Sequence, residues 1–585
     1  MPIFYFFYFL ISFFIMSQQF KTINVSTGER NKFDLSHNQV TTTDFGKIIP
    51  IMVRECLPND DFYVDPKVFI RLGNMPAPTF GKIKCRLHTF FVPNRIMWNR
   101  WDDFIVGSYT GSAPYVTIQQ IHAALSYDPA SDVYPGTTSP NDYQRGEILD
   151  TLSNLGFNPK VIHKLNQLEP AQRINAFPFL AYQRIWFDYF RDSNLSQVGE
   201  TWFNAFVNGG SLDAYVNQIL RLRHSCYKKD YFTTAKVNPQ EGGTGSYIRV
   251  SLDSSSVYNP SDRAVIYAGT DGKLVTSNGS DYVNTTLTGG SVYINGIRAA
   301  NARQRYLERN NFVGERTISR LQAHFGVAPS AERLDMAEWL GSNEFDVKIQ
   351  DVTSTSMYNG SSPTVMADGL GALAGKGWLD SSQQKSNPVK YHCTEHGIMM
   401  TVMSILPDTG YYQGLSKMWQ RGFMGDGPIE YFTPEYENLG YEPILNRQVY
   451  VPGQAVTYSN YASQGIFGYT PRYSDYKFQL DVLAGDMVAA DTEASADCYH
   501  LFRKMDFSDT NPLQLNEDFV VLNNQNNDYD RIYKVTDNKI DHFICDISVN
   551  CVATRNMSSF AEPMLDANEE ERGQRVTLPY GGIRL

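Results

Sequence analysis

The stretch His392-Cys393-Thr394-Glu395-His396 fits the H-x-x-E-H spacing of a zinc hydrolase. That chemistry needs both imidazoles on one helical face to hold the metal, with the glutamate as general base. Here Pro388 stands just before the stretch, Gly397 follows it, and the residues after that (IMMTVMSIL) read as a strand. In an extended chain the two histidines lie about 13 Å apart and cannot share one ion. A second stretch, residues 368–377 (DGLGALAGKG), carries G-x-G-x-x-A at Gly369, Gly371 and Ala374. A dinucleotide loop of that spacing needs a strand before it and a helix after it, and neither is evident. It also fails as a P-loop, because Leu370 stands where the first glycine belongs and Gly377 follows Lys376. A flexible loop is the better reading. No G-x-S-x-G elbow occurs, and the paired acids Asp60–Asp61 and Asp102–Asp103 sit in turn-like settings. No active site, cofactor site or metal site is expected.

Basic residues offer one further possibility. Arg221, Arg223, Lys228 and Lys229 crowd into RLRHSCYKK. The chain as a whole is acidic, with 51 basic against 62 acidic residues and a net charge of −11. Nucleic-acid affinity comes largely from neutralising phosphates, so this chain is not expected to be a strong nucleic-acid binder acting alone. A solvated surface is the ordinary reading of such a cluster.

The 585 residues suffice for several domains, or for one domain with large insertions. Charged residues make up 19%, below the usual quarter, while 36 Tyr and 35 Phe raise the aromatic share to 13%. Extensive subunit contacts favour that balance, as does a large β-rich core. Seven cysteines, at 56, 85, 226, 393, 498, 545 and 551, form no CxxC pair. Cys545 and Cys551 share an apparent strand and would lie roughly 20 Å apart, too far for a disulfide. Free thiols used as small apolar side chains fit a reducing interior such as a bacterial cytoplasm.

The uncharged run Ile3–Met16 is shorter than the about 20 residues that cross a bilayer. As a signal peptide it lacks a basic start and a small-residue cleavage site. A third reading takes Met16 as the first residue, with residues 1–15 a hydrophobic leader upstream of the true start.

Period-two alternation marks the elements. In KIKCRLHTFF, Ile83, Cys85, Leu87, Thr89 and Phe91 share one face. In HFICDISVNCVAT, Phe543, Cys545, Ile547, Val549, Cys551 and Ala553 do the same. Further strands are expected at residues 47–55, 68–72, 346–353, 397–406, 447–451, 519–522 and 531–535. Such one-sided strands belong to antiparallel sheets, and no βαβ rhythm appears. Helices are expected at residues 178–194 and 297–311, as insertions in a β scaffold. Residues 234–296 turn to Gly, Ser, Thr, Asn and Asp, with DG, NG and GG turns, and read as a polar, hairpin-rich surface excursion.

Taken in order, these segments resemble the major capsid protein of the Microviridae, the small single-stranded DNA phages, and especially its gokushovirus-like branches. The landmarks FDLS, LPND, MPAP and FFVPNR…W fall between Phe33 and Gly107. FPFLAYQRIWFDYFRD, LRLRHSCYKKDYFTTA, the block Arg305–Ser356, FGYTPRYSDYKF and the close from Tyr529 to Met557 follow. The hydrophobic leader and the altered ending SSFAEPML, with the tail residues 558–585, depart from the family pattern. The first departure favours Met16 as the start.

The resemblance implies a mainly β protein: an eight-stranded antiparallel jelly roll with long inserted loops and a few helices. Residues 16–46 would be an N-terminal arm and 47–557 the capsid domain, with 234–296 a surface protrusion near the threefold axes. Implied too are a closed icosahedral shell of identical copies with one copy per asymmetric unit (T=1), a circular single-stranded DNA genome inside, and a small basic packaging protein as partner. Arg221, Arg223, Lys228 and Lys229 are the candidate nucleic-acid-facing residues. A host surface receptor would meet residues 234–296. The competing readings are an exported β-sandwich that binds glycans through its tyrosines, and a zinc hydrolase using His392, Glu395 and His396.

Overall fold

A computed structural model describes residues 30–109, 111–125, 140–196, 215–239, 266–268, 274–276, 294–313, 336–353, 373–420, 440–451, 465–488, 496–505, 507, 513–523, 529–535 and 541–557. Most of the polar excursion, the hydrophobic leader, Gly369, Gly371 and the tail lie outside these residues.

The described chain is mostly β. Its strands are β1 (Asn31–Asp34), β2 (His37–Thr43), β3 (Lys47–Cys56), β4 (Asp61–Leu72), β5 (Ile83–Pro93), β6 (Tyr115–Thr117), β7 (Arg173–Asn175) and β8 (Arg223–His224). Then come β9 (Ile266–Ala268), β10 (Leu274–Thr276), β11 (Glu338–Thr353), β12 (Leu373–Asp380), β13 (Val389–His392), β14 (Gly397–Pro407), β15 (Tyr441–Leu445), β16 (Ile466–Pro471) and β17 (Phe543–Arg555). Eleven of them join one antiparallel network in the order β1-β17-β4-β12-β11-β5-β14-β3-β8, with β2 also on β17 and β13 also on β4.

β17 and β4 carry the alternation that the sequence predicts. Phe543, Cys545, Ile547, Val549, Cys551 and Ala553 are all buried, while Ile544 between them is exposed. β17 runs antiparallel to β4 from Phe543↔Leu72 to Thr554↔Asp61. On its other edge lie β2 and β1, so chain segments about 500 positions apart in sequence are zipped together. β11 joins the two halves of the network: Glu338–Val347 pair with β5, and Lys348–Thr353 pair with β12.

β14 departs from alternation. All eleven of its residues are buried, in a core that a helical layer shares. The helices described are α1 (Ile118–Leu125), α2 (Pro140–Asn154), α3 (Pro159–Leu168), α4 (Phe177–Ile185) and α5 (Ile294–Val313), beside shorter turns. α4 is apolar nearly all round and continues into a π-helical turn, Trp186–Phe190. The Tyr182 hydroxyl, fully buried, donates to Ile48 O of β3 at 2.7 Å and accepts from Arg223 N at 2.9 Å. One hydrophobic core unites α4, β3, β4, β5, β14 and β17.

Several expectations need correction. Residues 447–451 are not a strand: Asn446–Val449 form a helical turn, and the Gln448 side chain accepts from Leu445 N at 2.6 Å. Residues 519–522 also begin in a helical turn, Glu517–Val520, where the Asn516 side chain caps Phe519 N at 3.0 Å. Residues 531–535 are not a strand either: they begin within the 3-10 turn Asp530–Ile532. Short apolar runs do not distinguish a buried turn from a strand by periodicity, and here side-chain caps decided. β4 begins at Asp61, ahead of the expected Val68, despite Pro66. On one side of β4 the partner changes from β13 to β12 around that proline, and Ser381 Oγ, rather than a strand, accepts from Val68 N at 2.7 Å. A proline nitrogen is tolerated where no ladder bond is required.

The glycine-rich loop is likewise part of a strand, since Leu373–Gly377 begin β12. Its glycines permit close approach. A Cβ at Gly375 would stand 2.6 Å from Ala77 O and 2.9 Å from Pro78 Cα, both backbone atoms. A Cβ at Gly377 would meet only the Leu72 side chain, at 2.5 Å. Gly375→Ala is therefore expected to destabilise the fold by about 1–3 kcal/mol, and Gly377→Ala by less because a side chain can turn aside. Melting curves of the two variants, read side by side, check the order; equal losses would refute the backbone-contact explanation.

Candidate nucleic-acid interface

The four basic residues of the cluster occupy different environments. Arg221 leaves α4's neighbourhood to meet Glu147 of α2, Nε to Oε2 at 2.8 Å. Glu147 is itself buried, and burial raises its pKa even against Arg221, Arg223 and Lys47. Arg223 is buried: Nε donates to Gln183 Oε1 at 2.7 Å, and the guanidinium lies 4.1 Å from the Trp186 ring centroid. Burial, with the charge of Arg221, pushes its pKa down to about 10. A folded chain does not offer Arg223 to a ligand; it fastens α4 to β8.

Lys228 and Lys229 stand at the surface instead. Lys228 Nζ approaches Asp408 Oδ1 at 3.4 Å and stays largely solvated. Lys229 bonds to Asp192; burial would raise the pKa of that carboxyl, but the Lys229 charge and hydrogen bond outweigh it and hold it low. Both lysines line a cavity of about 710 Å³ with Asp230, Tyr231, Asp408, Tyr411, Lys477 and Phe478. Phe478 is 63% exposed. Sequence reasoning missed Lys477 and Phe478 as partners of this cluster. The adjacent cation and aromatic ring in YSDYKF were the available signal, but nothing in sequence tied them to residues almost 250 positions earlier.

The wall behind the cavity is rigid for a chemical reason. Asp230 Oδ1 accepts from Phe232 N at 2.9 Å and Thr233 N at 2.8 Å, so DYFT folds as a side-chain-capped turn. Asp230 Oδ2 accepts from the Tyr411 hydroxyl at 2.8 Å, and that hydroxyl accepts from Arg503 Nη1 at 3.1 Å. Arg503 is almost wholly buried between the rings of Tyr227, at 4.2 Å, and Phe519, at 4.5 Å. Tyr411 thus relays the carboxylate of Asp230 to a buried cation, which is a costly charge to bury unless paired.

The H-x-x-E-H residues come apart. His392 Nδ1 lies 2.6 Å from Asp61 Oδ1, Glu395 Oε2 lies 2.8 Å from Arg95 Nε, and the His396 ring packs against Trp101. They point to three different partners and share no ion.

Comparison with known proteins decides the class. The profile of the family described as "Capsid protein (F protein)" matches residues 21–565. The chain belongs to this family of phage capsid proteins. The "Capsid protein VP1" of Chlamydia phage 1 is 26% identical over 94% of this chain and 98% of its own length. The "Capsid protein VP1" of Bdellovibrio phage phiMH2K is 27% identical over 81% of this chain and 85% of its own, and that of Spiroplasma virus 4 is 23% identical over 80% and 84%. The resemblance to Microviridae coat proteins read from the landmark segments therefore holds over most of the chain. The coat protein is a structural component of the virion, and the hydrolase and glycan-binding readings are displaced.

The two kinds of basic residue should respond differently to truncation. Arg223→Ala leaves Gln183 Oε1 buried without its donor, and is expected to cost about 2–3 kcal/mol. Lys228→Ala should alter stability by less than about 0.5 kcal/mol. Denaturant unfolding of both variants measures the contrast, and a stable Arg223→Ala protein would contradict the anchoring role.

Proposed function

We propose that this coat protein assembles from identical copies into a small closed icosahedral shell around a circular single-stranded DNA genome. The observation that carries the reading is the family match across residues 21–565. The eleven-strand antiparallel network supports a jelly roll elaborated by insertions: β11 passes from one half of the network to the other, as a strand at the seam of two packed sheets would. In this reading 47–557 form the shell domain, and 16–46 form an arm whose strands β1 and β2 lie on β17. Residues 234–296 project near the threefold axes toward a host receptor, and 558–585 form a tail.

Assembly requires surface that identical neighbours can bury under closed symmetry. Phe80, Trp339, Met418 and Trp419 are large apolar side chains left exposed on the single chain. Aromatic and Met side chains are the types enriched at such interfaces. Single-stranded DNA can lie where Lys228, Lys229 and Lys477 surround an exposed ring, phosphates on the ammonium groups and a base on Phe478. Arg221 and Arg223 act from behind by holding this segment in place. With a net charge of −11 the shell needs further positive charge to pack DNA, and a small basic packaging protein supplies it.

Sedimentation and negative-stain microscopy of the full chain test this, alone and with single-stranded DNA plus a basic peptide. Uniform closed particles are expected. A stable monomer under every condition would overturn the assembly reading. In the particles, Lys228→Glu combined with Lys477→Glu should release DNA at lower salt than wild type; unchanged salt dependence would remove this cavity from the DNA-facing surface.

A further inference from the structure

A second cavity, of about 450 Å³, opens where the large sheet meets the π-helical turn that follows α4. Its size falls within the range of about 300–1,000 Å³ usual for small-molecule sites. Three neighbouring strands contribute. Arg86, His88 and Phe90 alternate along β5 and so share one face. Ser404 of β14 is paired with Arg86, and Trp339 of β11 with Phe90. Directly paired residues point to the same side of a sheet, so all of these side chains face the cavity they line. Tyr189 and Phe190 of the π-helical turn and Cys226 line it as well. Turns of π geometry are rare and are frequent at functional sites.

The rings are fixed by contacts of their own. The Phe90 centroid lies 4.9 Å from that of Tyr189 and 6.2 Å from that of Phe190, and the His88 ring meets Phe190 edge-on at 5.7 Å. The Tyr189 hydroxyl donates to Ala337 O at 2.6 Å. The Cys226 thiol donates to Phe190 O at 3.2 Å, and burial pushes its pKa up to about 11, which keeps it a donor.

Two polar groups in this aromatic setting have nothing to bond. Ser404 is 2% exposed, and its Oγ has no hydrogen-bond partner. An unpaired buried hydroxyl costs stability that an alanine in its place would not. The His88 imidazole touches Phe90 and Phe190 but makes no hydrogen bond among the described residues. Burial, then the charge of Arg86, lowers its pKa to about 4. Near neutral pH it is therefore an uncharged ring with one N–H donor and one acceptor nitrogen. Arg86 is a cation of the lining, but Glu344 Oε2 already holds its Nε at 2.8 Å.

Aromatic walls and a cation that is already paired suit a flat, uncharged ring. A hydrocarbon ring, such as a phenylalanine side chain, would fill the space and leave Ser404 and His88 unanswered. A nucleobase packs its face on aromatic side chains and carries donors and acceptors on its edge. We propose that this cavity binds one nucleobase, its face against Phe90 and Phe190 and its polar edge on His88 and Ser404. A free nucleoside and a base on a single strand offer the same chemistry. In the second case the site rests on the DNA-packing reading above and deepens it: the lysine-lined cavity draws phosphates, and this one takes a base.

The test uses the full chain with short fluorescent oligonucleotides, in about 0.5 M salt to suppress phosphate attraction. Anisotropy should show deoxyadenylate or thymidylate oligonucleotides binding at least about fivefold tighter than an abasic oligonucleotide of the same length. His88→Phe keeps an aromatic ring and removes both nitrogens. Ser404→Ala removes the unpaired hydroxyl and should melt no lower than wild type. Each variant should lose at least about threefold of the base-dependent affinity, with abasic binding unchanged. Competition by free thymidine or deoxyadenosine makes the free nucleoside a ligand too; base-dependent oligonucleotide binding without it assigns the site to the strand. Equal affinity for abasic and base-bearing oligonucleotides, with no nucleoside bound, would overturn the proposal. So would base-dependent binding that both variants keep, or binding of N-acetylphenylalanine amide in place of any nucleobase, which would give the cavity to an aromatic side chain. Particle formation is read separately, so loss of the shell reading and loss of this site are told apart.

Discussion

Strand β14 has no wet face, and much of the fold follows from that. Every residue from Gly397 to Pro407 is buried, so no water reaches its backbone and each amide and carbonyl needs a protein partner. β3 and β5 provide the ladders on its two edges. Its side chains then need cover on both sides of the sheet. The helix Phe177–Ile185 lies over one part of this sheet, and the β4–β17 half of the network shares the same core. The Thr401 and Thr89 hydroxyls meet across the ladder at 3.0 Å. Arg223, which looks like a surface cation in sequence, is drawn into the same requirement. It ties the helix to β8 at the edge of β3.

A second, smaller core obeys a different constraint. Arg503 brings a full charge among Tyr227, Tyr411 and Phe519, where ring faces, the Phe519 carbonyl and the Tyr411 hydroxyl answer it. The hydroxyl passes the charge on to Asp230, which at the same time caps the DYFT turn. The surface lysines next to that turn are therefore held on a backbone that buried electrostatics make stiff. In the proposed function this matters, because a surface that is already ordered loses less entropy on meeting DNA.

Alternation made β5 and β17 legible, because a half-buried strand must repeat every second residue, whereas β3 and β14 showed only as apolar runs. The apolar run around Phe179–Trp186 declared its helix in the same way. Free cysteines were also readable from spacing, and none of the seven forms a disulfide. The misread segments share a physical cause. At residues 446–449 and 517–520, a Gln or Asn side chain caps a turn that hydrophobicity alone would draw as a strand. At Leu373–Gly377, glycine marks close approach to the backbone of residues 77–78 rather than freedom.

The sequence by itself determined the class of the protein: ordered landmarks over most of the chain, an antiparallel β scaffold and an acidic, aromatic-rich composition. These are local or one-dimensional properties, and a single strand or a composition carries them without help. Tertiary structure alone decided which charges face outward. Lys228 and Arg223 sit five positions apart in one basic run, yet one is solvated and the other sealed under Trp186. It alone brought Lys477 beside Lys228, and Ser404 and His88 to one cavity. Burial and charge pairing depend on what packs across the fold, and contacts between residues hundreds of positions apart leave no periodic trace in the chain.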